Sequence, residues 1–231
     1  MTLANLIICA AVLSAAAACA ESPKGVTPGS IATFTAASAN VSGAPDAIRI
    51  DILRWSTDAE RGALMDAWTG KAPAPSGRGA AEGRAGRGRA GRGAAANTPP
   101  PPPEATLAKA LKGATTVGYV WSREIAGYAI RFAERIQNPD GSARILLVTD
   151  RRLGAVNDQW NPAAGEPSSY DFSVIELRIK PNGEGDGKAS LTGKVTPDAA
   201  FKMVALQNYD SLPIVFTHVQ RHTSGQHQET K

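Results

Sequence analysis

Asp150, Arg151, Arg152, Asn157 and Asp158 bring acids, bases and an amide together in the stretch that begins Thr149-Asp150-Arg151-Arg152-Leu153-Gly154. With Trp160 beside them they could line a polar pocket; charges at a strand end that pair on the surface explain the same residues. A hydrolase built on this chain would have to work through Asp150, Asp158 or His218, since there is no GxSxG nucleophile turn. Asn182, Glu184 and Asp186 place oxygen ligands at alternate positions in Asn182-Gly183-Glu184-Gly185-Asp186-Gly187, as the first half of a calcium loop does. The closing bidentate Glu at the twelfth position would be residue 193, which is Gly193. A polar, glycine-rich hairpin turn accounts for the segment without a metal, and no metal is assigned.

The remaining motifs lack their mechanical context. His218 and His222 on a strand share a side but stand roughly 13 Å apart, too far for one zinc ion. His227 belongs to a polar tail at 223–231. Gly86-Arg87-Gly88-Arg89-Ala90-Gly91 fits GxGxxG but has neither a strand before it nor a helix after it. Gly187-Lys188 resembles the end of a phosphate loop, but Ala189 stands where a magnesium-binding hydroxyl is required. No catalytic residue, cofactor or nucleic-acid partner is therefore expected.

Thiol chemistry depends on residues 1–20, which hold both cysteines, Cys9 and Cys19. Leu3 to Ala20 is almost wholly apolar, and Ala18-Cys19-Ala20 suits signal cleavage between Ala20 and Glu21. An uncleaved anchor or a buried helix are the other readings, and the segment lacks a basic residue at its start. Cys19 is also placed for lipidation, although Ala16 stands where lipoproteins usually carry Leu. The expectation is an exported protein, periplasmic or secreted, with a possible membrane tether at Cys19. Cleavage after Ala20 leaves no cysteine, and with it no disulfide, thiolate metal site or thiol nucleophile.

The elements that must position the candidate residues come from two segments. Between Gly70 and Thr106 there is no Val, Ile, Leu, Met, Phe, Trp or Tyr. Such a stretch cannot bury enough apolar surface to offset its ordering entropy, so 70–103 is expected to be a disordered insert. Pro99 to Pro103 should form a polyproline II piece of roughly 15 Å. The insert carries six Lys and Arg against two Glu from Gly70 to Thr106, a surplus equal to the whole chain's +4. The basic character thus belongs to this segment. Arg78, Arg84, Arg87, Arg89 and Arg92 could touch an anionic envelope polymer or lipid, or simply solvate a spacer.

Residues 31–69 are too few to fold alone yet rich in core candidates: Ile31, Phe34, Ile48, Ile50, Ile52, Leu53, Trp55, Leu64, Met65 and Trp68. They are expected to pack with 104–222 as one domain after a linker at 21–30. Ile48 to Ile52 alternates as a strand. Thr57 and Glu60 make a capping box for a helix to about Trp68, and Glu104–Lys112 reads as a second helix between Pro103 and Gly113. The two helices would flank the insert as a hairpin. Strands are expected at 115–122, from Tyr128 to Ile136, and at 143–149, 172–180, 188–196, 201–207 and 214–219, with turns at 138–141 and 181–187. In the second of these, Tyr128, Ile130, Phe132 and Ile136 would share one face, with Arg131 and Arg135 on the other. The fold class is α+β, a mainly antiparallel sheet curved into a partial barrel or a sandwich.

Arg54-Trp55-Ser56-Thr57-Asp58-Ala59-Glu60-Arg61, Thr149-Asp150-Arg151-Arg152-Leu153-Gly154, Phe172-Ser173-Val174-Ile175-Glu176-Leu177-Arg178 and Leu191-Thr192-Gly193-Lys194-Val195 resemble segments of a group of uncharacterised exported bacterial proteins with a Gly/Arg/Pro-rich insert. The resemblance spans most of 31–220 and implies export but no activity. Three functional readings follow: a non-enzymatic binding or structural module of the bacterial envelope, a carrier holding a small apolar ligand in the curve of the sheet, and a hydrolase.

Overall fold

The computed structural model describes residues 27–71, 99–122, 127–155, 160–163, 168–191 and 193–222. The signal at 1–20 with Cys19, Ala20 and Glu21, the insert arginines Arg78, Arg84, Arg87, Arg89 and Arg92, and the tail at 223–231 lie outside these residues, as do Asn157 and Asp158.

Eight strands close into an antiparallel barrel. In chain order they are β1 (Ala32–Ser38), β3 (Ile48–Ile52), β4 (Gly118–Trp121), β5 (Tyr128–Gln137), β6 (Ala143–Thr149), β8 (Val174–Ile179), β9 (Glu184–Ala189) and β12 (Phe216–His222). Each pairs with the next, and β12 returns to β1, so the sheet has no free edge. Four short strands lie outside the barrel: β2 (Val41–Ser42) with β7 (Asn161–Pro162), and β10 (Val195–Asp198) with β11 (Met203–Leu206). The sheet is thus fully closed, beyond a partial barrel. The insert interrupts the path between β3 and β4, yet these two strands are paired directly, Ile50 opposite Val120.

The interior is filled by side chains. Phe34, Ile50, Tyr128, Ile130, Leu147, Leu177 and Phe216 point inward and are fully buried. One end is closed by the long connection from β6 to β8, which lays Trp160 on Phe216 with ring centroids 5.9 Å apart. The other end, the mouth of the barrel, carries the tight turns at 138–142 and 180–183.

A second apolar cluster covers part of the outer wall. Helices α1 (Asp58–Trp68) and α2 (Pro103–Gly113) pack Leu64, Leu107 and Leu111 against Phe132, Leu146 and Val174. The capping box is formed: Glu60 N–H donates to Thr57 Oγ1 at 3.3 Å, and Thr57 N–H donates to Glu60 Oε2 at 2.9 Å. Pro102 is in the polyproline region and Pro103 opens α2, where a missing N–H costs nothing. Among the described residues no helix is long and apolar enough to cross a membrane.

Four local expectations are corrected. The segment at 181–187 is not all turn: β9 begins at Glu184, and its glycines are strand residues. A Cβ on Gly187 would run into Leu177 and Phe216, so the glycine admits a close interior contact. Ile31 is half-exposed rather than core, and Thr27, expected in a linker, is bound through N and Oγ1 to Asp51. Most consequentially, β5 bulges between Ile130 and Phe132. Tyr128 and Ile130 face the lumen, Phe132 faces the helices and Ile136 the outer wall beyond them, and Arg135, opposite the interior Ile145, turns inward. One extra residue exchanges the two faces of everything beyond it.

Candidate functional site

Charge of both signs is gathered on the outer wall across three strands. Arg144 of β6 stands opposite Arg178 of β8, whose Glu176 stands opposite Lys188 of β9; Asp186 of β9 faces Arg178. Side chains at alternate positions of a strand share a face, so these five project from the same side. The β10–β11 hairpin and a single 3₁₀ turn at Tyr209–Ser211 lie over them and leave a cleft of about 930 Å³. Phe201 and Ile214 form its lips. They are 42 % and 36 % exposed, and with Ile31 they are the large apolar side chains left exposed among the described residues.

Glu176 is the centre of the cleft. It is fully buried, and Arg144 grips it with two bonds, Nε to Oε1 at 2.9 Å and Nη2 to Oε2 at 3.0 Å. Arg144 Nη1 reaches Asp198 at 2.9 Å, tying the hairpin to the barrel. Burial opposes the charge on Arg144, but Glu176 and Asp198 together hold its guanidinium above its ordinary value. Burial also opposes the charge on Asp198, whose carboxyl nonetheless lies below its usual range because Arg144 and the N–H groups of Phe201 and Ala200 bond to it. Arg178 bonds Asp210 at 2.9 Å and stacks over the Tyr209 ring at 3.6 Å. Lys188 Nζ donates to the carbonyls of Tyr209 and Asp210 at 2.8 and 3.2 Å. Tyr209 OH donates to Asp186 at 3.2 Å, and burial first, then Asp186, raises the phenol above its ordinary pKa.

Every ionisable group in this network has a partner. Charges so committed are arranged to fix geometry; none is left as a free base or nucleophile.

Of the residues singled out in the sequence, Asp186 and Lys188 stand in the cleft and the others fall elsewhere. Asp150 pairs with Arg131 at 3.0 Å. Arg151 donates to the Gly127 carbonyl at 2.9 Å and lies over the Tyr128 ring at 4.7 Å. Arg152 follows them with its Nε buried and unbonded. Trp160 is fully buried and plugs the closed end of the barrel against Phe216. Asn182 and Glu184 bond one another at the turn, Nδ2 to Oε2 at 3.0 Å, while Asp186 is taken by Tyr209. Among the described residues no group of three His, Cys, Asp or Glu side chains is placed to hold a metal. His218 is exposed on β12, three strands round the barrel from the β6 end that carries Asp150. His222 bonds Thr35 Oγ1 at 2.9 Å, and the two histidines do not meet at one site.

The cleft residues escape motif reading because they come from positions spread between 136 and 214. The available signal is the alternation Glu176-Leu177-Arg178 and Asp186-Gly187-Lys188, which marks one charged face on each of two paired strands. Neither the protein families, nor the curated proteins, nor the solved structures compared with this chain match it.

Proposed function

We propose that this protein is an exported, non-enzymatic binding module of the bacterial envelope, and that the cleft over β6, β8 and β9 is where it binds. The observation that carries the reading is the combination in one open cleft of a paired charge network around Glu176 and two exposed apolar lips, Phe201 and Ile214. A wall of satisfied ion pairs holds a shape and offers polar contacts; exposed apolar side chains at its rim gain by being covered. The occupant best suited is a polymer or peptide segment with apolar groups for the lips and polar groups for the wall. The arginines of the insert add an attraction for anionic envelope polymer or lipid.

The carrier reading asks for space inside the barrel, where Phe34, Tyr128, Trp160 and Phe216 are packed together. Two cavities, the cleft and a smaller apolar groove of about 280 Å³ beneath the helices, lie outside it. Of the hydrolase candidates, Asp158 lies outside the described residues, while Asp150, just past the end of β6 and paired with Arg131, stands three strands round the barrel from His218 on β12.

The test is fractionation followed by binding. The chain recovered from the periplasm should begin at Glu21 by mass, or at an acylated Cys19. It should co-sediment with purified cell-wall sacculi, and Phe201→Ser with Ile214→Ser should reduce the bound fraction several-fold while leaving the unfolding midpoint nearly unchanged. A chain found only in the cytoplasm with Met1 retained, or sedimentation indifferent to both lips, would overturn the proposal.

A further inference from the structure

The mouth of the barrel holds a charge arrangement unlike the rest of the molecule. Arg49, Arg54, Arg61, Arg131, Arg144 and Arg178 each have a carboxylate within ion-pair distance. Among the described residues Arg135 and Arg221, which both stand at the mouth, have no carboxylate within that distance; Arg152, beyond the far end of β6, has none either. Arg135 is on β5 opposite the interior Ile145, and Arg221 is on β12 opposite the interior Phe34. Going round the ring from β5 through β6, β8 and β9 to β12 is four steps of eight, so the two guanidiniums enter the lumen from opposite walls.

Both are turned inward by β-bulges. The β5 bulge lies between Ile130 and Phe132; the β12 irregularity lies between Phe216 and Val219, where His218 takes a left-handed φ of 51°. Without them, Arg135 and Arg221 would lie on the outer wall. A left-handed backbone at a non-glycine residue is unfavourable, so this is a costly way to bring two like charges together. Bulges are a recurrent means of re-aiming a side chain at a functional site. Gln137 positions the first arginine. Its Oε1 accepts from Arg135 Nη2, and its Nε2 is fixed by the Gly141 and Ser142 carbonyls at 2.9 and 3.1 Å. Burial and then the charge of Arg221 pull the Arg135 guanidinium below its ordinary value, the sign of two cations that lack a counter-charge.

We propose that the mouth is an anion site, in which an oxyanion group (phosphate, sulfate or carboxylate) is held between Arg135 and Arg221. Planar guanidiniums approaching from two sides suit such a group, giving charge-assisted bonds at both faces. The oxyanion is either a free ion or the head group of an anionic lipid that closes the mouth. This site is separate from the cleft, and its failure would leave the cleft reading intact.

The experiment is titration of the purified protein with inorganic phosphate at constant ionic strength, with chloride as the control, followed by the arginine Nε–H resonances and by calorimetry. The Arg135 and Arg221 signals should move together and saturate. Arg135→Gln and Arg221→Gln should each weaken binding about tenfold or more, the scale of one lost charge-assisted bond. Arg135→Lys, which keeps the charge and loses the fork, should fall between. Phe201→Ser should have no effect. Vesicles of phosphatidylglycerol against phosphatidylcholine form the second arm: arginine-dependent binding to the former alone identifies a lipid head group as the source. Should the glutamine variants not fold, the wild-type resonances decide. The site is refuted if neither signal saturates with phosphate and vesicles are not bound, or if binding persists in the folded double variant.

Discussion

The outer wall and the mouth use the same residue type in opposite ways. On the wall, Arg144 and Arg178 face each other across β6 and β8, and Glu176 is set between them with Asp198 and Asp210 at the outer ends. At the mouth, Arg135 and Arg221 enter from opposite walls, and among the described residues Gln137 is the side-chain partner of Arg135. Removing a piece from the first arrangement uncovers a buried charge; removing a piece from the second relieves one. The wall is therefore committed to holding the hairpin in place, while the mouth has electrostatic attraction left to give a ligand.

The sharpest way to break this contrast is at Glu176. Glu176→Gln keeps the shape but leaves Arg144 and Arg178 without their buried counter-charge, and should lower unfolding free energy by about 3 kcal/mol in urea titration. Replacing Glu176 with Leu and Arg144 with Met together should recover most of that loss, because the desolvation cost leaves with the pair. A single substitution costing under about 1 kcal/mol would mean that the wall is no better satisfied than the mouth.

Tyr209→Phe probes the same wall more gently. The ring stays beneath Arg178 at 3.6 Å, and only the bond to Asp186 is lost. A loss of about 1 kcal/mol is expected. A larger loss would show that the hydroxyl, rather than the stacked ring, anchors the 3₁₀ turn.

A surface fork calibrates how much burial matters. Arg54 holds Glu60 with bonds of 2.8 and 2.6 Å, outside the barrel where both side chains are about a third exposed. That pairing, with the Thr57 cap, lowers the Glu60 carboxyl to about 2. A depressed carboxylate stabilises the fold above its unfolded value near 4.3, and the contribution disappears as pH falls toward 2. After solvent screening it is worth about 1 kcal/mol or less. The urea midpoint should drop over that interval in the wild type and drop less in Glu60→Gln. Equal slopes would remove the Arg54–Glu60 pair from the account.

Much of the frame was legible where the local signal was complete. Thr57 with Glu60 specifies a helix start by hydrogen bonds within four residues, and Asn138-Pro139-Asp140-Gly141 specifies its turn in the same local way. Ile48 to Ile52 alternates because one side faces the lumen, and Asp51 on the other side is buried by bonds from Thr27, Thr33 and Arg49. What failed was register. Nothing in Tyr128-Ala129-Ile130-Arg131-Phe132 announces an extra residue, because the bulge is set by the pairing of β5 with β6 and by the helices that claim Phe132. Likewise the glycines of β9 read as turn residues because the contacts that select them, of Gly185 with Arg178 and Ile179 and of Gly187 with Leu177 and Phe216, are made across strands. The cleft and the mouth were both invisible for this reason: each is assembled by registers, and a motif search reads only neighbours in the chain.

The smallest expected effect is the most informative about the mouth. Arg135→Met retains the length and the lumen-facing stem while removing one of two unpaired cations. Stability should be unchanged or should rise by up to about 1 kcal/mol, since no carboxylate is left unpaired and like-charge repulsion ends. Any gain should shrink as salt is raised from about 0.1 to about 1 M, where the screening length falls from about 10 to about 3 Å. A loss comparable with Glu176→Gln would identify Arg135 as a structural strut, with Gln137 sufficing as its partner. An unchanged or higher midpoint, joined to loss of the phosphate response, separates the two uses of arginine: on the wall the charge is kept for the fold, and at the mouth it is kept against the fold's interest.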